Sequence, residues 1–355
     1  MLHLSRRSFK IGCAYMGAVV GAGFCSGQEI IQFFLVFGPQ GLWGIVLSAF
    51  LFALFGAVVI YLASCMEVRS YGEFISILLG QKAGLIMDIL ITLFLAAGLC
   101  IMFTGSGALF TEHLGIEENI GYFITALLTA ATVLGGGEGV LRINSFLVPL
   151  MFVVILVVSA ASIAVGDHGI LEAARPRGAF NFMLVKNWVA SSFLYVSYNM
   201  IIAAVILSSL ELKNTPDDVL GSIIGGMGLG FLAFAVGTAV LKNWDLVFHY
   251  EIPMLRLGEK ISPLFKYFLA LALWISMYTT AVANAFGLTR RIESLPFIRG
   301  AGRGKVLGIA AIFLTYPFSK IGFARLIGGI YSLFGWAGLP MLFVVLFKTF
   351  ILLKK

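Results

Sequence analysis

"GAVVGAGFCSGQEI", residues Gly17 to Ile30, sets four glycines inside an apolar segment and follows them at once with Gln28 and Glu29. Three readings compete for it. Gly21, Gly23 and Gly27 come near the glycine fingerprint of dinucleotide-binding proteins, but that motif works only between a strand and a helix of a βαβ unit, and the surrounding sequence offers no such unit. Gly17/Gly21 and Gly23/Gly27 are each a G-x-x-x-G pair that lets two helices approach closely, a pattern repeated at Gly221/Gly225 and Gly226/Gly230. Packing alone does not account for Ser26, Gln28, Glu29 and Gln32, because an ionisable group inside a membrane costs at least about 2.5 kcal/mol unless it meets protein, water or a partner. The third reading answers both features. Glycine lets a helix unwind at little steric cost, and an unwound membrane helix exposes carbonyls from one half and amides from the other, making cation and anion sites together.

The rest of the chain supports a membrane setting. Of 355 residues, 60% are hydrophobic and only 12% charged, about half the charged share of an ordinary soluble domain. About ten apolar runs long enough to cross a bilayer fall at 9–37, 41–66, 83–110, 119–135, 143–166, 187–210, 217–241, 263–288, 304–318 and 326–351. This predicts an all-α integral membrane protein, one polytopic domain over residues 1–355. Its partners are then the lipid bilayer and a small solute. Oligomeric state is not readable.

Lys and Arg set the orientation. Arg6, Arg7 and Lys10 precede span one, Arg69 and Lys82 lie between spans two and three, and Arg290, Arg291, Arg299, Arg303 and Lys305 precede span nine, on the same side as Lys354 and Lys355. Both termini are expected in the cytoplasm of a bacterial cell whose inner membrane holds the chain. The Thr111–Asn119 loop, free of Lys and Arg, faces outside, although Arg175, Arg177, Lys186, Arg256 and Lys260 also lie there. The net charge of +7 reflects this anchoring and not nucleic acid, since no basic tract with interleaved aromatics occurs. "SRRSFK" (Ser5–Lys10) and "IGC" ending at Cys13 resemble export and lipoprotein signals, but no short apolar core with a cleavage site follows. The four cysteines lie in or beside spans without ligand spacing, which argues against disulfides and zinc.

A solute site made by a broken helix normally has a counterpart in an inverted repeat. Dividing the spans five plus five gives repeats at about 9–166 and 187–351 and sets span six opposite span one. Its middle carries Ser197, Tyr198 and Asn199 between two apolar halves, which predicts a second break there; the same cluster also suits interhelical hydrogen bonding.

"GAVVGAGFCSGQE" with the following "FFLVFGPQG" resembles the first helix of the YkvI-type bacterial membrane proteins, a branch of the amino acid–polyamine–organocation superfamily with the LeuT fold. "INSFLVPLMFVVILVV" (Ile143–Val158) is similar to the opening of span five in sodium-coupled amino-acid symporters. The resemblance implies a sodium ion held by carbonyls of Gly17, Val20 and Ser276 and the hydroxyls of Thr279 and Thr280. Neutral oxygens suit a hard monovalent cation; the other reading is that Thr hydroxyls bond back to their own helix. It also implies a substrate carboxylate on amides of Ala22, Gly23 and Phe24, faced by Ser197, Tyr198 and Asn199. Ala18 replaces an asparagine of the neurotransmitter symporters, so one cation site is easier to defend than two.

Glu29 is a candidate proton carrier or gate, and Glu138 with Arg142 a candidate i,i+4 gating pair. Asp88 reaches the cytoplasmic interface, and Asn284 is gate or glue. "YGEFISILLG" (Tyr71–Gly80) reads as an interfacial amphipathic helix, and Asp245–Pro263 resembles the extracellular lid before span eight of this fold. No nucleophile–base pair, phosphate loop or metal cluster suggests an enzyme or a cofactor beyond a coupling sodium ion or proton. The reading is a secondary active transporter, a sodium- or proton-coupled symporter of a small solute such as an amino acid. A solute-sensing receptor subunit of the same fold, without net transport, is the alternative.

Overall fold

The computed structural model describes residues 5–68, 71–135, 138–166, 169, 185–210, 212, 215–293 and 303–354. Within them the chain is helical with no strand. The first span comes in three pieces: α1 (Arg6–Val19), α2 (Ala22–Cys25) and α3 (Gln28–Phe33). The Ser5 hydroxyl caps α1 by accepting from the Ser8 amide. Between α1 and α2, Val20 and Gly21 leave the helix, with ψ 89° at Val20 and an extended Gly21. Between α2 and α3, Gly27 adopts φ 83°, the left-handed region where glycine is favoured.

The remaining spans are α4 (Gly41–Cys65), α5 (Tyr71–Leu114), α6 (Glu118–Leu134), α7 (Glu138–Ala164), α8 (Trp188–Ser208) and α9 (Pro216–Lys242). After the short α10 (Trp244–Val247) and α11 (Pro253–Ile261) come α12 (Pro263–Glu293), α13 (Arg303–Leu314) with α14 (Tyr316–Ser319), and α15 (Phe323–Leu326) leading through a π-helical turn, Ile327–Tyr331, into α16 (Ser332–Leu353). All ten expected spans are present among the described residues. Seven of these helical segments are long and apolar enough to cross a bilayer alone, and Glu118–Leu134 and Val306–Ser319 are shorter apolar helices. Gly80 breaks α5 with φ 79° and ψ 169°, separating the expected surface helix from its span. Large side chains such as Trp43, Phe50, Leu264 and Phe343 point outward, as suits a surface facing lipid.

Span six departs from expectation, since α8 is continuous from Trp188 to Ser208. Its sequence has neither glycine nor proline, and its polar residues are served without unwinding. The Ser197 hydroxyl donates to the Gly335 carbonyl of α16 at 2.7 Å, and the Asn199 amide to Tyr195 of its own helix at 2.9 Å. The second irregularity lies instead in span ten, at the π turn.

Close packing explains the glycines of α9 but not Gly17 and Gly21 of the first span. A Cβ on Gly221 would come within 2.7 Å of the Ser8 carbonyl, on Gly225 within 2.9 Å of the Gly12 carbonyl, on Gly226 within 2.4 Å of the Ala53 amide and on Gly230 within 2.1 Å of Ala49. Helix α9 is thus wedged between α1 and α4. Gly21 by contrast has no atom within 4 Å of its Cβ position, and Gly17 meets only Val148, at 3.5 Å.

Candidate functional site

The break releases backbone groups from the helical ladder. The Gly21 amide turns to the Val19 carbonyl at 2.9 Å, so it no longer occupies the Gly17 carbonyl, and Val20 and its carbonyl lie in the unwound segment. The ladder of α2 begins only with the Cys25 amide on Gly21, and the amides of Ala22, Gly23 and Phe24 form its first turn, where a helix has no internal acceptor. Ala22, Gly23 and Phe24 are all buried, and α2 packs against α12. On α12, Ser276 and Thr279 are buried and Thr280 half-buried. The Thr279 hydroxyl donates to the Ser276 carbonyl at 3.2 Å, the back-bonded arrangement; the hydroxyl remains an acceptor in that state. The five oxygens named for sodium therefore come from two elements, the break and mid-α12.

Glu29 turns back from α3 onto the break. Its carboxylate lies directly on Gly23, whose Cβ position is 2.3 Å from Oε1, and its Oε2 accepts from the Tyr198 hydroxyl at 2.6 Å. Of the three span-six candidates, Tyr198 alone is hydrogen-bonded to the first span; Ser197 serves α16 and Asn199 its own backbone. The Tyr198 ring stacks on Tyr331 of the π turn, with centroids 4.6 Å apart and planes 19° apart, and also meets Phe33 and Tyr195. Phe94 of α5 stacks on Tyr331 in turn. Tyr331 and Phe94 are participants that sequence reading did not single out.

A cleft of about 360 Å³ opens between Cys13, Gly17 and Ala18 of α1, Val148 and Pro149 of α7, and Ile206 of α8. It reaches the helix one turn before the break. The α10–α11 segment closes over the first span. The Met254 amide donates to the Ser26 carbonyl at 3.1 Å, Glu112 at the end of α5 accepts from the amides of Glu251 and Ile252, and Glu251 accepts from the Ala324 amide of α15 at 2.5 Å. Burial pushes the Glu251 carboxyl above its ordinary range; the Ala324 amide and Arg325 oppose this, while Glu112 and Glu118 add to it.

Other candidates have plainer places. Asp88 pairs with Arg291 at 2.7 Å on the surface, and Asn284 rests on Gly98 of α5. The side chains of Glu138 and Arg142, at the start of α7, lie outside the described residues.

No family model matches the chain. Over 342 residues it is 30% identical to the uncharacterized membrane protein YkvI of Bacillus subtilis (strain 168), covering 96% of this chain and 95% of that one. It is 26% identical to YyaD of the same organism over 346 residues, 97% of each. Among solved structures it resembles MhsT in complex with L-phenylalanine, with TM-score 0.63, 17% identity and coverage of 95% of this chain and 88% of that one. A Na+-coupled sialic acid symporter matches at TM-score 0.62 and 13% identity, over 95% and 77% of the two chains. The manganese transporter of Eremococcus coleocola matches at 0.61 and 16%, over 96% and 78%. At such identities the likeness concerns the fold, which is the LeuT fold of five plus five helices.

Proposed function

Since this multi-pass membrane protein belongs to the YkvI family, we propose that it is a secondary active transporter of a small solute, with an amino acid or related zwitterion as the substrate class. It resides in the bacterial cytoplasmic membrane with both termini inside. The observation that carries this reading is the pairing of an unwound Val20–Gly21 segment, open at Gly21, with a cleft that reaches the helix one turn before it and an α10–α11 segment hydrogen-bonded over the first span. A broken helix with backbone groups free beside a cleft supports a solute site of the kind that alternating access works around. The names of the structural neighbours, a phenylalanine complex and a Na+-coupled symporter among them, support the same class.

Sodium is the favoured coupling ion. The Gly17 and Val20 carbonyls are freed by the break, and Ser276, Thr279 and Thr280 offer three further neutral oxygens on the helix that α2 packs against; a proton carried by Glu29 is the alternative. The test is uptake of a panel of labelled solutes into proteoliposomes under an imposed sodium or proton gradient. Saturable accumulation driven by the gradient is expected. Solute binding without flux, together with a stable complex with other subunits, would make the protein a sensor instead.

A further inference from the structure

Glu29 is a buried carboxylate, 4% exposed, and among the described residues no cationic side chain pairs with it. An ionised carboxylate offers about four lone-pair positions, and here only the Tyr198 hydroxyl serves one of them. The residues around it form a closed circuit. Tyr198 holds Glu29 and stacks on Tyr331; Tyr331 ends the π turn that begins at Ile327; Gly328 in that turn lies against the Gln32 Oε1, its Cβ position 2.7 Å away; and Gln32 lies three residues beyond Glu29 on α3, on the neighbouring face of one helical turn. Inside a single-turn π segment, a departure from α geometry that recurs at functional sites, this is a built arrangement.

The circuit also carries unmatched polarity. Both side-chain polar atoms of Gln32, the Gln28 Oε1 and the Tyr195 hydroxyl are buried without a hydrogen-bond partner among the described residues. Three of these atoms are acceptors or accept as readily as they donate. Of these, the Gln32 Oε1 lies one helical turn from Glu29, so the two present negative and acceptor character beside the stacked rings of Tyr198, Tyr331 and Phe94.

A divalent metal does not suit this set. Such ions take several carboxylate, imidazole or thiolate ligands, and no group of three His, Cys, Asp or Glu side chains occurs among the described residues. The unbroken α8 removes another possibility, since span six exposes no half-helix carbonyls that could hold a substrate's positive group. We infer that Glu29, with Gln32 and held by Tyr198 on its stack with Tyr331, forms the subsite for a positively charged nitrogen of the transported solute, an ammonium or alkylated ammonium group. Carboxylate and amide oxygens take its N–H donors or its charge, and the Tyr198–Tyr331 stack keeps the carboxylate in place.

This rests on the transporter reading for what the site is used for, but binding is measurable without flux. The experiment uses the purified full chain in detergent and reads the shift in thermal unfolding on adding common amino acids, putrescine or choline, each beside a counterpart lacking the charged nitrogen: the matching 2-hydroxy acids, butanediol and dimethylbutanol. At least one nitrogen-bearing probe is expected to stabilise the protein while its counterpart does not. Glu29→Gln, which keeps shape and removes charge, is expected to weaken that probe at least about thirtyfold, as truncating one partner of a buried charge pair does. Tyr331→Leu is expected to weaken it as well and Tyr331→Phe to preserve it, a comparison that stands even if Glu29→Gln fails to fold. Amine binding without uptake in proteoliposomes would sink the transporter reading and leave this subsite standing. Equal stabilisation by counterparts, no stabilisation by any nitrogen-bearing probe, or unchanged affinity in Glu29→Gln with loss only of proton-driven uptake would each overturn the assignment.

Discussion

Replacing Gly23 by alanine tests the central geometry with one methyl group. Its Cβ would stand 2.3 Å from the Glu29 Oε1 and 3.1 Å from the carboxyl carbon, and ordinary contact begins at 3.4 Å, so the carboxylate must retreat by about 1.1 Å. The 2.6 Å bond from Tyr198 is then carried to the limit of about 3.6 Å at which a hydrogen bond ceases unless the tyrosine follows. Tyr198 is pinned among Phe33, Tyr195 and Tyr331, with ring centroids 5.4, 5.6 and 4.6 Å away. A hydrogen bond to a charged group contributes about 1.5–3 kcal/mol, so Gly23→Ala should weaken solute binding by about tenfold to a hundredfold. Gly21→Ala is the control. Nothing lies within 4 Å of its Cβ, and φ −107° with ψ −175° is backbone that any residue adopts, so its effect should stay within about 0.5 kcal/mol. Thermal unfolding of both variants in detergent, with and without the stabilising solute, separates loss of fold from loss of binding. A Gly23→Ala protein that binds like wild type, or a Gly21→Ala protein that is the more damaged of the two, would refute the reasoning.

Three further outcomes are expected. Gly226→Ala drives a methyl into the Ala53 backbone amide at 2.4 Å, which cannot swing aside as a side chain can, and should destabilise the protein by about 1–3 kcal/mol; the amount of monodisperse protein recovered and its unfolding temperature report this, and an unaltered temperature contradicts the packing role of α9. Converting Thr279 and Thr280 together to Val keeps the β-branched shape and removes two oxygens, so sodium-stimulated binding should fall sharply while sodium-independent folding persists; sodium titration of the unfolding temperature reads it. Because the closed lid raises the Glu251 carboxyl above its ordinary range, closure takes up protons: its stabilisation is fully present below the ordinary carboxylate range near pH 4.5 and is lost as pH rises through the raised value. Protection of the Met254 and Ala324 amides from hydrogen exchange, corrected for intrinsic rate, should therefore decline with rising pH in wild type and lose that dependence in Glu251→Gln.

The spans and the first break were legible because each is written locally. Ten apolar runs need only length and composition, and the glycine-rich run marks where the first span breaks, with Gly27 using its conformational freedom at φ 83°. The surface helix ending at Gly80 and the α10–α11 lid were legible for the same reason, through amphipathic spacing and punctuation by glycine and proline. Span six misled because Ser197, Tyr198 and Asn199 look alike as a polar cluster, whereas their neighbours divide them: Ser197 goes to a carbonyl of α16, Asn199 to its own helix, and Tyr198 to Glu29. The partners of Ser197 and Tyr198 lie far away in sequence, 138 and 169 residues respectively. Tyr331 and Phe94 were missed on the same ground, since a stacked ring has no local pattern that distinguishes it from core. The glycine pairs show the limit most sharply. Gly17/Gly21 and Gly221/Gly225 are the same motif, and only the atoms across from them separate an open break from a close helix contact.

The structure also joins the site to the lid by a very short path. The Ser26 hydroxyl donates to the Gly23 carbonyl at 2.7 Å, while the Ser26 carbonyl accepts from the Met254 amide of α11, and the Met254 side chain lies 3.0 Å from the Cβ position of Gly27. Gly23 is the residue that the Glu29 carboxylate rests on. The carboxylate, Gly23, Ser26 and the α11 backbone are thus joined by direct contacts without crossing another helix. The two glycines make this possible for different reasons: Gly23 because a side chain would occupy the place of the carboxylate, Gly27 because its left-handed φ turns α3 back over α2. A first span continuous from Arg6 to Phe33 would hold Glu29 and Ser26 in fixed helical register, and the carboxylate could not turn back to rest on Gly23, so the run of helix-breakers is what brings the carboxylate, Ser26 and the α11 backbone together.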